Sequence, residues 1–297
     1  MRSVRLLILA SLTSCSIMTA PYGDPEVHGH RGCRGLLPEN TIPAFIKATE
    51  LGCDWLEMDV VLNADSEVVV SHEPWMDRRI CLDPNGDSIP HGQDREANIH
   101  RMSTVEMQRY DCGSREQTEF PQQKHLKVHK PLLREVVEAV DEHILMNGLN
   151  EVGYNIEIKS EPQWIGVYQP QQDELARRVI DAVHATGITR RTIIQSFDTA
   201  VLEAIHELDP RIPTALLVEH VDLEKDLAKL SFRPAYYSPA FDGVDAALAD
   251  RLRERDIGLL VWTVDRKEDM QRMIDLNVDG IITDYPDRLI DLLDDQP

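Results

Sequence analysis

From residue 150 onward the chain repeats one unit, a short β-branched run followed by a stretch with helical periodicity. Tyr154 to Lys159 precedes Asp173 to Ala185, and Thr192 to Phe197 precedes Thr199 to Leu208. The runs Ile212 to Glu219, Ala235 to Ala240 and Ile257 to Val264 lead into Leu223 to Leu230, Val244 to Arg253 and Lys267 to Leu276. Asp279 to Asp284 and then Asp287 to Leu293 close the series. Successive strand starts fall about 22 residues apart, room for a strand, a helix and two tight loops only. Two earlier strands, Val27 to Arg31 and Trp55 to Val61, flank a helix from about Thr41 to Leu51, with Thr41 as N-cap and Gly52 as stop. Eight alternating units in one chain predict an α/β fold, a (β/α)₈ TIM barrel, rather than an open doubly wound sheet.

The 297 residues exceed a bare barrel, and the excess has a location. Roughly 90 residues separate the second and third units, too many for one connection. Val68-Val-Val-Ser-His72 reads as a hairpin partner of the second strand, and residues 74–130 as an insertion over the C-terminal mouth, with Pro84-Asn-Gly86 and Pro90-His-Gly92 as turns. Helix Leu132 to His143 then resumes the barrel rhythm, so residues 26–297 form the barrel domain.

Residues 1–20 read as an export signal: Arg2 and Arg5, an apolar run from Leu6 to Leu12, then small residues. Leu12-Thr13-Ser14-Cys15 looks like a lipobox, cleaved before Cys15, which becomes the acylated mature N-terminus. The alternative is cleavage near Ala20 and a soluble secreted protein. The apolar run is about a third of what a spanning helix needs, so membrane contact is expected only through a lipid anchor at Cys15. The expected location is the periplasm or an outer-membrane anchor, alternatively secretion. An exported chain allows disulfides. Cys81 and Cys112 flank a polar segment and are the best pair. Cys33 and Cys53, placed at opposite ends of one predicted helix, read as free thiols. Acids outnumber bases 52 to 31, a formal charge of −21 that excludes nucleic acid as a partner.

In such a barrel the active site lies where strands end at the C-terminal face. That rule selects His30-Arg31-Gly32, Glu57-x-Asp59, His72-Glu73, Glu157-x-Lys159, Ser196-Phe197, Trp262-Thr263 and Thr283-Asp284. Glu57 and Asp59 are two apart on a strand and share a face, as do Glu157 and Lys159. An isolated E-x-D is common as a structural ion pair. Several strands delivering ionisable groups to one end of a barrel is not a pattern that structural pairing alone predicts. Glu57, Asp59 and Glu157 make an oxygen-rich set suited to one hard divalent cation, Mg²⁺ or Ca²⁺. His30 and His72 suit general acid and base, and Arg31 and Lys159 suit a phosphoryl group. Together they point to metal-assisted phosphoryl transfer or hydrolysis.

His30-Arg31-Gly32, Pro38-Glu39-Asn40-Thr41, Gly52-Cys-Asp54, Glu57-x-Asp59-Val60, His72, Glu157-Ile-Lys159, Ser196-Phe197, Trp262-Thr263-Val264 and Asp279-Gly-Ile-Ile-Thr-Asp284-x-Pro286 resemble, in order and spacing, the glycerophosphodiester phosphodiesterase family. The resemblance runs from about residue 27 to 290. It implies hydrolysis of glycerophosphodiesters to glycerol 3-phosphate and an alcohol, with metal on Glu57, Asp59 and Glu157 and acid/base roles for His30 and His72. It also implies phosphate binding by Arg31 and Lys159 and a glycerol-side contact from Trp262. Glu73 and Asp265 depart from the usual Asp and Asn of that pattern. Water or the neighbouring glycerol hydroxyl serves as nucleophile, and either histidine fits the base. The rivals are a lysophospholipase D-like or sphingomyelinase D-like enzyme, which needs an apolar groove, and a surface lipoprotein that binds a ligand without turnover.

Overall fold

The repeating runs become strands and helices in the anticipated order in the computed structural model, which describes residues 23–295. The candidate leader, Cys15 included, lies outside the described residues. Strand β1 (Glu26–Gly29) and helix α1 (Ile42–Leu51) precede β2 (Trp55–Leu62) and β3 (Val68–Val70). After α2 (Thr104–Met107) and α3 (Leu133–Asn147) come β4 (Gly153–Ile158), α4 (Gln172–Ala185), β5 (Thr192–Ser196) and α5 (Thr199–Leu208). The chain continues through β6 (Thr214–Val218), α6 (Leu223–Leu227), β7 (Tyr236–Pro239), α7 (Ala246–Arg253), β8 (Gly258–Val261), α8 (Lys267–Asp275), β9 (Gly280–Thr283) and α9 (Pro286–Asp294). Pairing runs β1-β9-β8-β7-β6-β5-β4-β2, and β1 pairs with β2 to close the ring. This is the expected eight-stranded parallel barrel. The ninth strand, β3, lies outside the ring, antiparallel to β2 with Val70 opposite Val60.

Local chemistry sets the boundaries. Thr41 has the extended backbone of an N-cap, yet its hydroxyl donates to the Pro38 carbonyl at 2.6 Å and caps no helix amide. Gly52 ends α1 at φ 99°, a left-handed conformation a Cβ would strain. Strand β6 starts at Thr214 because Pro213 has no N–H to donate; its carbonyl still accepts from Ile194 at 3.0 Å. Helix α6 stops at Leu227, short of the anticipated Leu230, whose N–H closes a tight turn onto Leu227. Strands β2 and β4 are buried almost throughout, as a parallel sheet covered by helices requires.

Between β3 and α3 the chain builds a small core of its own. Met76, Cys81, Ile99, Met107 and Cys112 pack against Val61, Val69 and Leu132 on β2, β3 and the approach to α3. Leu82 and Asp111 exchange backbone hydrogen bonds, which brings the flanking Cys81 and Cys112 together as a disulfide. Closing a loop across 31 residues stabilises by about 3–4 kcal/mol in a chain-entropy account. Replacing both cysteines with serine should therefore lower the melting temperature and deprotect residues 74–130 in hydrogen exchange before the barrel strands. Unchanged protection in that segment would contradict the assignment.

Cys33 and Cys53 are free and buried, but they are not at opposite ends of one helix. Helix α1 begins at Ile42, directly after the expected N-cap Thr41, so Cys33 lies well before it in a run of turns while Cys53 follows its C-cap Gly52. Both cysteines join the main core, where the Cys33 thiol meets the Ala44 carbonyl at 3.4 Å. Burial pushes the Cys33 thiol up to about 12, so it stays protonated and unreactive near neutral pH.

Candidate active site

Strand register assembles the site. On β2, Glu57 and Asp59 share the inward face; Asp59 is the registered partner of Glu157 on β4, and Glu157 of Gln195 on β5. The result is a row of polar side chains across three adjacent strands just inside the mouth. Strands β1 and β9 pair Gly29 with Thr283, so the next residues, His30 and Asp284, also stand side by side. The hairpin has the same effect on the other flank: Ser71 N–H donates to the Asp59 carbonyl, which sets His72 above the carboxylates. The Lys159 N–H donates to the Val60 carbonyl at 3.1 Å, fixing that residue beside them.

Glu57, Asp59 and Glu157 each present an oxygen within 4.8 Å of the others, and all three are buried. The Asp59 Oδ1 has no hydrogen-bond partner, the Lys159 ammonium being 3.9 Å away. The other acid oxygens are held in place. Glu57 accepts from Gln195 Nε2 at 3.0 Å and from the Arg31 N–H at 2.9 Å, and Asp59 Oδ2 accepts from Asn40 Nδ2 at 2.8 Å. Burial, with Asp59 and Glu157 alongside, pushes Glu57 well above the ordinary carboxylate range. Burial also raises Glu157, against the pull of Lys159. Asp59 moves the other way: burial opposes its charge, but Arg31, His72 and Lys159 more than offset it. An orphaned buried oxygen among three crowded carboxylates is the donor set a hard divalent cation requires, so the residues fit such an ion.

Each histidine is backed by an acid. His30 Nδ1 lies 2.6 Å from Asp284 Oδ1, and its Nε2 stands 3.9 Å from Glu57. His72 Nδ1 lies 3.0 Å from Glu73 Oε1, and its Nε2 is 3.2 Å from the Lys159 ammonium. In both rings the carboxylate accepts a hydrogen bond at Nδ1, which leaves Nε2 of His30 toward Glu57 and Nε2 of His72 toward Lys159. Glu73 thus reaches its histidine through the longer side chain. Burial lowers the pKa of His30, only partly countered by Asp284. Asp284 itself stays well below the usual range, since His30 and Arg34 outweigh its burial.

The cations are woven into the same network. Arg31 has a left-handed backbone, φ 50°, held by its N–H on Glu57. The following Gly32 is at φ 89°, where a Cβ would come within 2.8 Å of the Ala44 backbone. The Arg31 guanidinium donates to Glu39 at 2.8 Å and sits 3.3 Å from Asp59. Glu39 is held down to about 2, since Arg31 and Arg34 overcome its burial. Lys159 donates to Glu157 at 2.7 Å. Trp262 follows β8, its indole N–H fixed on the Ser238 carbonyl at 2.8 Å and its ring meeting Phe197 edge to face. The structure therefore gathers all eight residues selected from the sequence at one mouth.

Several partners carried no role in the sequence reading. Asp284 was visible as a strand-end acid, but its pairing with His30 depends on ring closure between β1 and β9. Asn40 and Glu39 stood in a quoted run without a function; they orient Asp59 and Arg31. Arg34 grips Asp284 with two hydrogen bonds, 3.0 and 2.8 Å. Lys130, buried beside Glu39, Asp77, Glu73 and Asp59, had no signal beyond its charge.

Asp265 accepts from the Asp284 N–H at 2.9 Å and from Thr283 Oγ1 at 3.2 Å. Burial and the neighbouring Asp284 charge raise it to about 6. A carboxyl raised on folding disfavours the folded state once ionised; that cost is absent below the unfolded value near 4, grows up to about pH 6 and is constant above. Asp265→Asn keeps both accepted hydrogen bonds, so it should raise the melting temperature at pH 7 and lose that advantage below pH 4. Equal melting temperatures at pH 7 would contradict this.

The family model described as "Glycerophosphoryl diester phosphodiesterase family" matches residues 30–288. A glycerophosphodiester phosphodiesterase of Caldanaerobacter subterraneus is 32% identical over 90% of this chain and 97% of its own. The crystal structure of a Silicibacter pomeroyi protein superposes with a TM-score of 0.81 at 28% identity, covering 93% of this chain and 95% of its own. An Oleispira antarctica phosphodiesterase, solved in complex with the product sn-glycerol-3-phosphate, shares the fold with a TM-score of 0.70 at 20% identity, over 91% of this chain and 97% of its own.

Proposed function

Since this chain belongs to the glycerophosphoryl diester phosphodiesterase family, we propose that it hydrolyses glycerophosphodiesters, glycerophosphocholine and glycerophosphoethanolamine among them, to glycerol 3-phosphate and an alcohol, in a reaction that needs Mg²⁺ or Ca²⁺. The observation that carries the reading is the convergence of three buried carboxylates between two acid-backed histidines. Glu57, Asp59 and Glu157 would hold a divalent cation, which would supply positive charge to the non-bridging phosphate oxygens. Arg31 and Lys159, already in that network, bind the same group from either flank. One histidine takes a proton at Nε2 from the nucleophile, either water or the neighbouring glycerol hydroxyl, and in the second case water then opens the cyclic phosphodiester to glycerol 3-phosphate. The other gives one to the departing alkoxide as the phosphorus–oxygen bond to the alcohol breaks. Trp262, with Phe197 against it, walls the glycerol side. The Oleispira complex with sn-glycerol-3-phosphate supports a product of this kind.

The purified chain, incubated with glycerophosphocholine and Mg²⁺ or Ca²⁺, should release glycerol 3-phosphate and choline in equal amounts. Phosphocholine and glycerol instead would mean the wrong bond breaks, and no product would remove the assignment.

Export as a lipoprotein rests on Leu12-Thr13-Ser14-Cys15. Among the described residues no helix is long and apolar enough to cross a membrane. Expressed in a bacterium fed radiolabelled palmitate, the full chain should take up label and partition into membranes, whereas Cys15→Ser should take up none. Equal labelling of both would refute the anchor.

A further inference from the structure

Next to the carboxylate cluster, and sharing His72 and Lys159 with it, a cleft of about 430 Å³ opens toward the β4–α4 loop. Its floor is aromatic. Trp75 lies under the edges of Trp164 and Tyr168, with ring centroids 5.9 and 5.3 Å apart. Trp75 and Trp164 are buried, so their rings are fixed before any ligand arrives. The Arg95 guanidinium stands 4.8 Å from the Trp75 centroid. A diester placed with its phosphate between the histidines and its glycerol toward Trp262 would direct its alcohol half past His72, which lines this cleft.

We propose that the cleft is the subsite for the leaving alcohol and that it selects a neutral, polyhydroxylated one, of the glycerol, inositol or sugar class, over a quaternary ammonium alcohol. This inference rests on the hydrolase reading above. A trimethylammonium group binds best over an open aromatic face, and here the Trp75 face already carries a cation. The remaining charges balance: Lys159 is committed to Glu157 and Glu73 to His72, which leaves Arg95 to donate and Glu161, whose Oε2 already accepts from Gln163, to accept through Oε1. A hydroxyl does both, so several on one ring or chain satisfy the two together. The volume suits one small headgroup, and His72, Arg95, Lys159, Glu161 and Gln163 line the walls above the aromatic floor with polar groups.

The test compares kcat/KM for glycerophosphoinositol, glycerophosphocholine and the methyl ester of glycerol 3-phosphate, whose alcohol is too small to reach the cleft. Wild type should favour the inositol diester over the choline diester by about tenfold, the worth of one hydrogen bond to a charged group. Arg95→Ala should erase that preference, by slowing the inositol diester, and leave the methyl ester unchanged. Tyr168→Phe, which keeps the ring, separates loss of the floor from loss of a polar contact and should retain the preference. A choline preference in wild type, or equal slowing of all three substrates by Arg95→Ala, overturns the subsite. Turnover of none of the three, methyl ester included, overturns the hydrolase reading and this inference with it.

Discussion

His30→Ala should lower kcat/KM for glycerophosphocholine by about a hundredfold to ten-thousandfold, the usual contribution of one general acid or base, with little change in melting temperature. The imidazole is anchored at Nδ1 by Asp284 and offers Nε2 to the carboxylate cluster, so no other group replaces the lost proton transfer. Asp284→Asn separates chemistry from positioning. Burial lowers the His30 pKa and Asp284 is the main force raising it, so the substitution should move the His30 titration to still lower pH by NMR. It also frees Arg34, which now grips the same carboxylate, so the loop after β1 should lose order. Full activity in His30→Ala would remove this histidine from the reaction. An unmoved titration in Asp284→Asn would remove the carboxylate from its support.

Glu57→Gln is expected to divide stability from function. Without a cation, three buried carboxylates repel one another, and burial raises Glu57 furthest of the three in the direction of its neutral form. The amide keeps the shape and can still bond Gln195, so chelated Glu57→Gln should melt no lower than chelated wild type. Metal should then distinguish them. At a hundredfold excess over its dissociation constant, a cation bound only by the folded state stabilises by about 2.7 kcal/mol, or roughly 4 °C for a chain of this size. Wild type should show that rise with Mg²⁺ or Ca²⁺; Glu57→Gln should show little of it and have activity reduced by orders of magnitude. The same rise in both proteins would move the cation elsewhere.

How far the sequence reaches depends on whether a residue's role is local or set by closure of the ring. The barrel was readable because each βα unit announces itself through β-branched runs and helical spacing, and the mouth residues because they end strands. Glu57 and Asp59 needed only the two-residue period of a strand. Asp284 with His30, and Gln195 with Glu57, needed the ring register, which links residues 254 and 138 positions apart. Cys33 lies in turns before α1 rather than at one of its ends, because Gly32, Gly35 and Pro38 keep that segment out of the helix, which the spacing of the two cysteines alone does not show. Lys130 gave no signal at all, since a buried lysine declares itself only through the acids packed around it.

In the mechanism proposed above, a cation on Glu57, Asp59 and Glu157 makes the acidic mouth of this barrel able to cleave an anionic diester. The most direct measurement is release of glycerol 3-phosphate from glycerophosphocholine by metal-stripped protein, before and after Mg²⁺ or Ca²⁺ is restored, beside Asp59→Asn. The stripped protein should be inactive and recover on addition of one cation per chain, and Asp59→Asn should stay inactive at any metal concentration. Full turnover by the stripped wild-type protein would contradict this mechanism.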